Sequence, residues 1–404
     1  MQRTINREMY LNWLLKWRGQ QIIKVISGVR RCGKSTLFAI YRDYLQKEGI
    51  GAEQIISLNF EDIEYEELCD YRKLYSYISQ RLLPEKMNYI FLDEVQHVEC
   101  FEKAVDSLFL KDNCDVYITG SNAYFLSGEL ATQLSGRYVE LKMLPLSFKE
   151  FAEGLSEKGL SDTAKFERYL RCGSFPYVLR FDLAEQEARE YMRDIYSTVL
   201  LKDIVSRLKV SDVNVLENVT KFMFHNIGNL TSPGKIANTL KSAGTKVDQR
   251  TVDKYLRGLT DSLLLYPVSR YNVKGRQLLA TQGKFYAVDT ALRNILVRGK
   301  ESDIGHILEN IVFLELYRCG FSVFVGQMEH GEIDFVAVKD GETAYYQVSA
   351  SVLDPSTLKR ELAPLQALKD NYPKYLLTLD EVFRDADYEG IRKVNLLDWL
   401  LEKR

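Results

Sequence analysis

The residues best equipped for chemistry lie near the amino terminus. Gly28-Val-Arg-Arg-Cys-Gly33-Lys34-Ser35 spells GxxxxGKS, set between an apolar run and a helical pattern. In that context the glycines let backbone N–H groups wrap phosphates, and the helix that starts there adds positive potential. Lys34 is placed to reach the β- and γ-phosphates of ATP, and the Ser35 hydroxyl to hold Mg²⁺. Gly28, Arg30, Arg31, Cys32, Gly33 and Thr36 complete the expected phosphate lining. Arg30 and Arg31 are equally suited to pairing with carboxylates of a lid.

A second constellation is Tyr89-Ile-Phe-Leu-Asp93-Glu94. An acid that ends an apolar strand faces the crevice at the sheet's carboxyl edge. Asp93 is expected to hold Mg²⁺ through water, and Glu94 to orient and activate an attacking water. An enzyme that hands phosphate to another acceptor has no need of Glu94, so the pair favours hydrolysis. Asp115-Val-Tyr-Ile-Thr-Gly-Ser121-Asn122 ends in polar residues that would position water beside the γ-phosphate. Asn122 is the first choice and Ser121 the alternate; the plain reading is a turn. Arg137, in Leu134-Ser-Gly-Arg137, stands before the last strand of this region. It either reaches a neighbouring subunit's γ-phosphate as an arginine finger or pairs with its own lid.

The elements that must position these groups alternate. Strand-like runs at 22–27, 54–59, 89–93, 115–119 and 138–144 are separated by helical stretches. This alternation predicts an α/β fold, a parallel sheet with helices on both faces. From Ser147 to about Lys209 the pattern is helical only, opening with an S-x-x-E capping box, and predicts a helical lid whose long helix runs from about Ala184 to Arg207. From Asp212 to about Val297, two helices and two strand-like runs flanking YNVKGRQ predict a winged helix. From about Ser302 onward helical stretches are interspersed with the strand-like runs FSVFVG, EIDFVAV, AYYQVSA and YLLTL. The boundaries read 1–145, 146–210, 211–299 and 300–404.

Composition narrows the classes. In 404 residues, 46% are hydrophobic and 27% charged, and the net charge of −2 is not that of a protein that coats nucleic acid. No apolar run is long enough to span a membrane, and the first twenty residues do not read as a signal peptide. The six cysteines form no CxxC and the four histidines no HxxxH, so neither a zinc site nor a disulfide framework is expected. A cytoplasmic location fits.

GVRRCGKST, IFLDEVQ, TGSNA, LSGR, LPLSFKEF, GSFP and YSTVLLKDI together resemble a large prokaryotic family of AAA-superfamily P-loop ATPases with a C-terminal region of unknown function. The resemblance covers essentially the whole chain. It implies an ATPase core, a winged helix and a nuclease-like C-terminal fold, and brings no known substrate.

Two downstream features extend this reading. Between 212 and 297, twelve Lys and Arg stand against six Asp and Glu, a net charge of +6. Lys246, Arg250, Lys254 and Arg257 recur at helical spacing opposite Val252, Leu256, Leu259 and Leu263. A basic stripe opposite an apolar one suits a helix in a groove of double-stranded DNA, with Lys274 and Arg276 tipping the wing toward phosphates. A spacer or partner surface is the plainer reading. In the tail, Glu309, Asp334 and Tyr346-Gln-Val-Ser349 resemble the restriction-endonuclease-like pattern, in which an acid is followed by an acid-x-lysine strand. Gln347 and Ser349 replace the second acid and the lysine, and Lys359 is a candidate relocated lysine. The tail is therefore expected to be an inactive scaffold.

The function expected from these residues is ATP hydrolysis by an AAA-type switch with a DNA-binding module. An ATP-licensed, metal-dependent nuclease is one alternative. A nucleotide-dependent scaffold that recruits a partner, a protein or a second copy of itself, is another.

Overall fold

The computed structural model describes residues 5–121, 134, 136–155, 159–180, 185–275, 277–297, 304–329 and 331–402, with 200–202 and 280–282 by backbone only. The chain falls into two compact units, one of Met1–Pro145 with Asp261–Leu263, the other of Leu146–Thr260 with Leu264–Arg404.

In the first unit, strands β1 (Ile23–Ser27), β2 (Ile55–Asn59), β3 (Asn88–Asp93), β4 (Cys114–Gly120) and β5 (Tyr138–Lys142) lie in the order β2-β3-β4-β1-β5. All four pairings are parallel. Strands β1, β3 and β4 are buried along their whole length, so they read as mostly apolar runs and not as alternation, the buried Lys24 of β1 being paired with Asp115 of β4. Helices α1 (Glu8–Trp17), α2 (Lys34–Lys47), α3 (Tyr71–Ser79) and α4 (Phe101–Phe109) accompany the sheet. Leu74 and Ile78 of α3 and Val105 and Leu108 of α4 join Val25, Ile90, Leu92 and Ile118 in one core. Phe38 and Tyr41 of α2 pack edge-on against the Phe91 ring. Strand β4 lies between β1 and β3, and this order decides which side chains meet at the carboxyl edge.

The second unit opens with α5 (Phe148–Gly154), where Ser147 and Glu150 form the predicted capping box. Helix α6 (Asp162–Cys172) and α7 (Glu185–Ser197) follow. The long helix expected to reach Arg207 changes character after Ser197 and continues as π-helical turns over Thr198–Val205. Helices α8 (Val213–His225), α9 (Pro233–Ser242) and α10 (Gln249–Asp261) lead into strands β6 (Leu265–Asn272) and β7 (Gln277–Ala287). Ser232 caps α9 through the Lys235 N–H, with Pro233 in its first turn.

The hairpin β6–β7 joins a larger sheet. Helices α11 (Thr290–Leu296) and α12 (Ile304–Arg318) are followed by β8 (Ser322–Gln327), β9 (Glu332–Lys339), β10 (Glu342–Ser349), α13 (Pro355–Gln366), β11 (Lys374–Thr378), β12 (Asp385–Tyr388), β13 (Ile391–Asn395) and α14 (Leu396–Leu400). The eight strands run β12-β13-β11-β10-β9-β8-β6-β7. Strand β6 pairs in parallel with β8, Arg270 opposite Val325. Strands from before and after the boundary expected at 299/300 thus share one sheet, and the hairpin expected to form the wing is hydrogen-bonded into it. Among the described residues, no helix is long and apolar enough to cross a membrane.

Candidate functional site

The loop between β1 and α2 is shaped by its backbone. Gly33 takes φ +108° and Arg31 φ +63°, left-handed conformations that turn successive N–H groups toward one side. A Cβ on Gly28 would stand 2.4 Å from the Met143 carbonyl oxygen, so the β1 exit admits only glycine without displacement. Buried Arg7 donates to the carbonyls of Cys32 at 3.0 Å and Leu144 at 2.7 Å, fastening the loop to the segment after β5. Neither its burial nor this role has a signal in sequence spacing. Ser35 and Thr36, in the first turn of α2, are exposed.

Lys34 is buried, and its ammonium donates to the Gly28 carbonyl at 3.0 Å. It also lies 3.0 Å from Glu94 Oε1. Burial draws the lysine pKa down, and the Glu94 carboxylate more than reverses this, leaving it above the ordinary value. For Glu94, burial pushes the pKa up and Lys34 and Gln96 override it, holding the carboxyl below its usual range. Gln96 Nε2 donates to Glu94 Oε2 at 2.6 Å and reaches Ser121 Oγ at 3.4 Å. Glu94 has φ +51°, a left-handed conformation costly for a non-glycine residue.

Asp93 ends β3 in a buried position. Burial raises its pKa, against hydrogen bonds from the Ser35 and Thr119 hydroxyls. Thr119, fully buried on β4, donates to Asp93 Oδ1 at 2.5 Å and accepts from the Glu94 N–H at 2.9 Å. One hydroxyl on the neighbouring strand therefore holds the Asp93 carboxylate and the Glu94 backbone. Thr119 lies within the run Asp115–Asn122, but the apolar residues around it read as strand, and its inward direction follows only from strand order.

The structure thus brings Lys34, Ser35, Asp93, Glu94 and Ser121 together. Asn122 lies outside the described residues. Arg30 faces Glu61 of the same unit at 3.6 Å. Arg137 is ion-paired with Asp106 of α4 and lies over the Phe109 ring, so its observed partner is not the lid expected from sequence. Its carbonyl accepts from the Ile23 N–H at the start of β1. With about 3.3 Å of rise per residue, that is roughly 16 Å of strand from the phosphate loop of its own chain.

A second polar cluster lies in the larger sheet. Lys284 of β7 is buried, 3.3 Å from Glu309 Oε2 of α12 and 2.6 Å from Glu332 Oε1 of β9. Tyr286 donates to Glu309 Oε2 at 3.3 Å. Burial and the nearby Glu309 carboxylate push the Asp334 pKa well above its ordinary value. Gln347 accepts from the Asp334 N–H at 3.3 Å and donates to Glu361 at 2.9 Å, while Ser349 donates to the Ser351 carbonyl at 3.1 Å. Lys359, the candidate relocated lysine, is exposed on α13, and the lysine beside the acids is Lys284. Its place is invisible in sequence because it arrives from the hairpin.

On α10, Val252, Tyr255, Leu256 and Leu259 are buried, whereas Lys246, before the helix, and Arg250, Lys254 and Arg257 are exposed. Lys254 donates to the Leu208 carbonyl at 2.8 Å, and Arg257 pairs with Asp253 at 2.5 Å. Lys274 lies 3.6 Å from Glu329, and Arg276 is outside the described residues.

A family model described as an AAA domain matches residues 20–152, and one of a domain of unknown function matches 163–303. An uncharacterized protein of Haemophilus influenzae is 40% identical over 98% of this chain and 99% of its own length. One of Methanocaldococcus jannaschii is 29% identical over 98% of this chain and 88% of its own. Among solved structures, a Walker-type ATPase of Pyrococcus abyssi covers 72% of this chain and 96% of its own at 14% identity and TM-score 0.48. The Aeropyrum pernix Orc1 protein in complex with DNA covers 74% and 94% at 13% identity and TM-score 0.32.

Proposed function

The chain belongs to one family with the uncharacterized Haemophilus influenzae protein and carries an AAA domain over residues 20–152, and from that premise we propose that it hydrolyses ATP to ADP and phosphate at the carboxyl edge of its five-stranded sheet. The observation that carries this reading is the Lys34–Glu94–Asp93–Thr119 arrangement: a buried cation for phosphate beside two acids, with one hydroxyl bonded to the Asp93 carboxylate and to the Glu94 N–H. The left-handed Gly33 and Arg31 backbone and the start of α2 fit a polyphosphate, and exposed Ser35 with buried Asp93 fits a hard divalent ion. Mg²⁺, when bound there, neutralises charge across the phosphate oxygens.

In this reading Lys34 binds the β- and γ-phosphates, and Ser35 and Asp93 hold the ion. Glu94 accepts a proton from the attacking water, its direction set by Gln96 and by the Thr119 bond to its N–H. The role of sensing the γ-phosphate falls to Asn122, or to Ser121 in its place. Arg137, at the amino end of β5, serves the site of a second copy and not its own. The test is nucleotide binding and steady-state turnover in two variants. Lys34→Ala should lose tight ATP binding; Glu94→Gln should keep binding and lose turnover by about 10²–10⁴. Parent-like hydrolysis by both variants would refute the assignment.

A second reading, duplex DNA binding, is favoured by one observation: Lys246 and Arg250 are exposed around the start of α10, opposite its buried apolar stripe. It adds a partner to the ATPase and does not replace it.

A further inference from the structure

Arg7 lies outside the phosphate-loop motif, yet its buried guanidinium is bonded to that loop's backbone. Nη1 donates to the Cys32 carbonyl at 3.0 Å, and Nη2 to the carbonyls of Leu144 at 2.7 Å and Pro145 at 3.4 Å. The planar guanidinium fork fixes these acceptors relative to one another. A trans peptide points its C=O and its N–H in opposite directions. Arg7 draws the Cys32 carbonyl to itself and so aims the Gly33 N–H of the same peptide the other way. Among the described residues nothing accepts from that N–H. Gly33 stands at the amino end of α2, directly before Lys34, which suits its N–H to a phosphate oxygen.

The surroundings of Arg7 hold it in this place. It stands at the amino end of α1 with φ +50°, a left-handed conformation that its neighbours must stabilise. Its guanidinium lies 4.7 Å from the centre of the Tyr10 ring, and the Tyr10 hydroxyl accepts from the Leu144 N–H at 3.1 Å. Arg7 and Tyr10 thus grip both polar groups of the Leu144 backbone. The preceding carbonyl, that of Met143, is the one that leaves no room for a Cβ on Gly28. Both ends of the phosphate loop therefore take their position from residues 143 and 144.

Given the ATP site proposed above, we propose that Arg7 is a positioning residue for it: by holding the Cys32 carbonyl away from the nucleotide, it presents the Gly33 N–H to the phosphates. It touches no reacting atom. A donor set in place beforehand favours bound phosphate in the ground state and the transition state alike. Its loss therefore raises KM and leaves kcat nearly unchanged. The first turn of α1 is in this way part of the nucleotide site, although no residue of it belongs to a nucleotide-binding motif.

The experiment uses the full chain with Mg²⁺, measuring Kd for ATP and ADP by calorimetry and KM and kcat from steady-state turnover. Arg7→Ala should weaken both nucleotides by about tenfold or more and raise KM in proportion, with kcat within about threefold of the parent. Arg7→Lys keeps the charge but not the fork, and its affinity should lie between the two. Millimolar ethylguanidinium should return most of the lost ATP affinity to Arg7→Ala, whereas NaCl at equal ionic strength should not. Tyr10→Phe breaks a bond to the same Leu144 without touching the loop. It should lower the melting temperature yet leave nucleotide affinity within about twofold of the parent. Affinity that is parent-like in Arg7→Ala, or lost equally in Tyr10→Phe, would make Arg7 a packing staple and overturn the proposal. So would a fall in kcat at unchanged KM. Where Arg7→Ala does not fold, Arg7→Lys decides, and parent-like ATP affinity in it overturns the positioning role. ATP binding by the parent separates the two assignments. If the parent binds no ATP, both fall; if it binds ATP and the Arg7 variants bind it equally, only the positioning role falls.

Discussion

The Lys34 ammonium stands 3.0 Å from Glu94 Oε1, with both side chains buried. The group proposed for phosphate and the group proposed for water thus hold each other. In the proposed reaction, phosphate oxygens would compete with Glu94 for the ammonium, and binding ATP would release the carboxylate. Replacing Glu94 by Gln removes that competitor. The nucleotide-free Glu94→Gln protein should lose on the order of 3 kcal/mol of stability, because buried Lys34 loses the carboxylate charge it is paired with. ATP should bind about tenfold tighter, a gain of about 1.4 kcal/mol. Calorimetry with and without ATP measures both. The pH sign follows from the depressed Glu94 pKa. Its contribution is present above the unfolded glutamate value of about 4.3 and is lost as pH falls through the folded value. Melting curves from pH 7 to 3 should show a steeper acid limb in the parent than in Glu94→Gln.

Thr119 offers a cleaner separation of geometry from binding. Valine has nearly the same shape but takes from Asp93 one of its two hydroxyl donors and leaves the Glu94 N–H without an acceptor. An orphaned buried group costs about 1–3 kcal/mol. Thr119→Val should lower kcat by about tenfold or more while leaving KM for ATP within a few-fold. Thr119→Ser should restore most of it, because the hydroxyl returns. A parallel loss in the serine variant would point to packing and exclude the hydroxyl as the cause.

Arg137 makes an opposite prediction for stability and for rate. Its pair with Asp106 is partly exposed, so Arg137→Ala should cost under about 1 kcal/mol. If it serves a second copy, specific activity should rise with protein concentration. Mixing Arg137→Ala with Lys34→Ala should then recover activity that neither has alone. Activity independent of concentration, with no recovery on mixing, would confine Arg137 to its bond with Asp106.

How much of the chain is legible depends on how local the cause is. The phosphate loop and the five strands of the first unit can be read because each strand is an apolar run bounded by its own turn signals, with β1, β3 and β4 buried throughout. The capping box at Ser147 and Glu150 is equally local. Strands β12 and β13 escape such a reading. They are short, β12 has no buried residue, β13 buries a lysine, Lys393, and they turn at Glu389-Gly390, a weaker hairpin signal than Asn-Gly. The β6–β8 pairing and the arrival of Lys284 beside Glu309 join residues far apart in sequence, and no periodicity encodes them. Thr119 and Arg7 are in the same position: their types are visible, but their directions depend on strand order and chain path.

The last prediction concerns DNA and divides the four cations of the stripe by what they touch. Lys254 is bonded to the Leu208 carbonyl and Arg257 to Asp253, so phosphate would have to displace an existing partner at each. Lys246 and Arg250 are exposed at the end of the stripe where α10 begins, and they are the cations expected to meet phosphate. Removing one cation from a DNA phosphate should reduce the slope of log affinity against log salt by about 0.9, because one condensed counterion fewer is released. For the full-length chain and a duplex oligonucleotide, the double variant Lys246→Ala, Arg250→Ala should therefore flatten the slope by about 2 and weaken binding at low salt. Lys254→Ala with Arg257→Ala should change the slope by less than half of that. Equal effects of the two pairs would show that the whole stripe is engaged, against this division. Undetectable duplex binding by the parent at low salt would assign the helix–hairpin segment to spacing or to a protein partner.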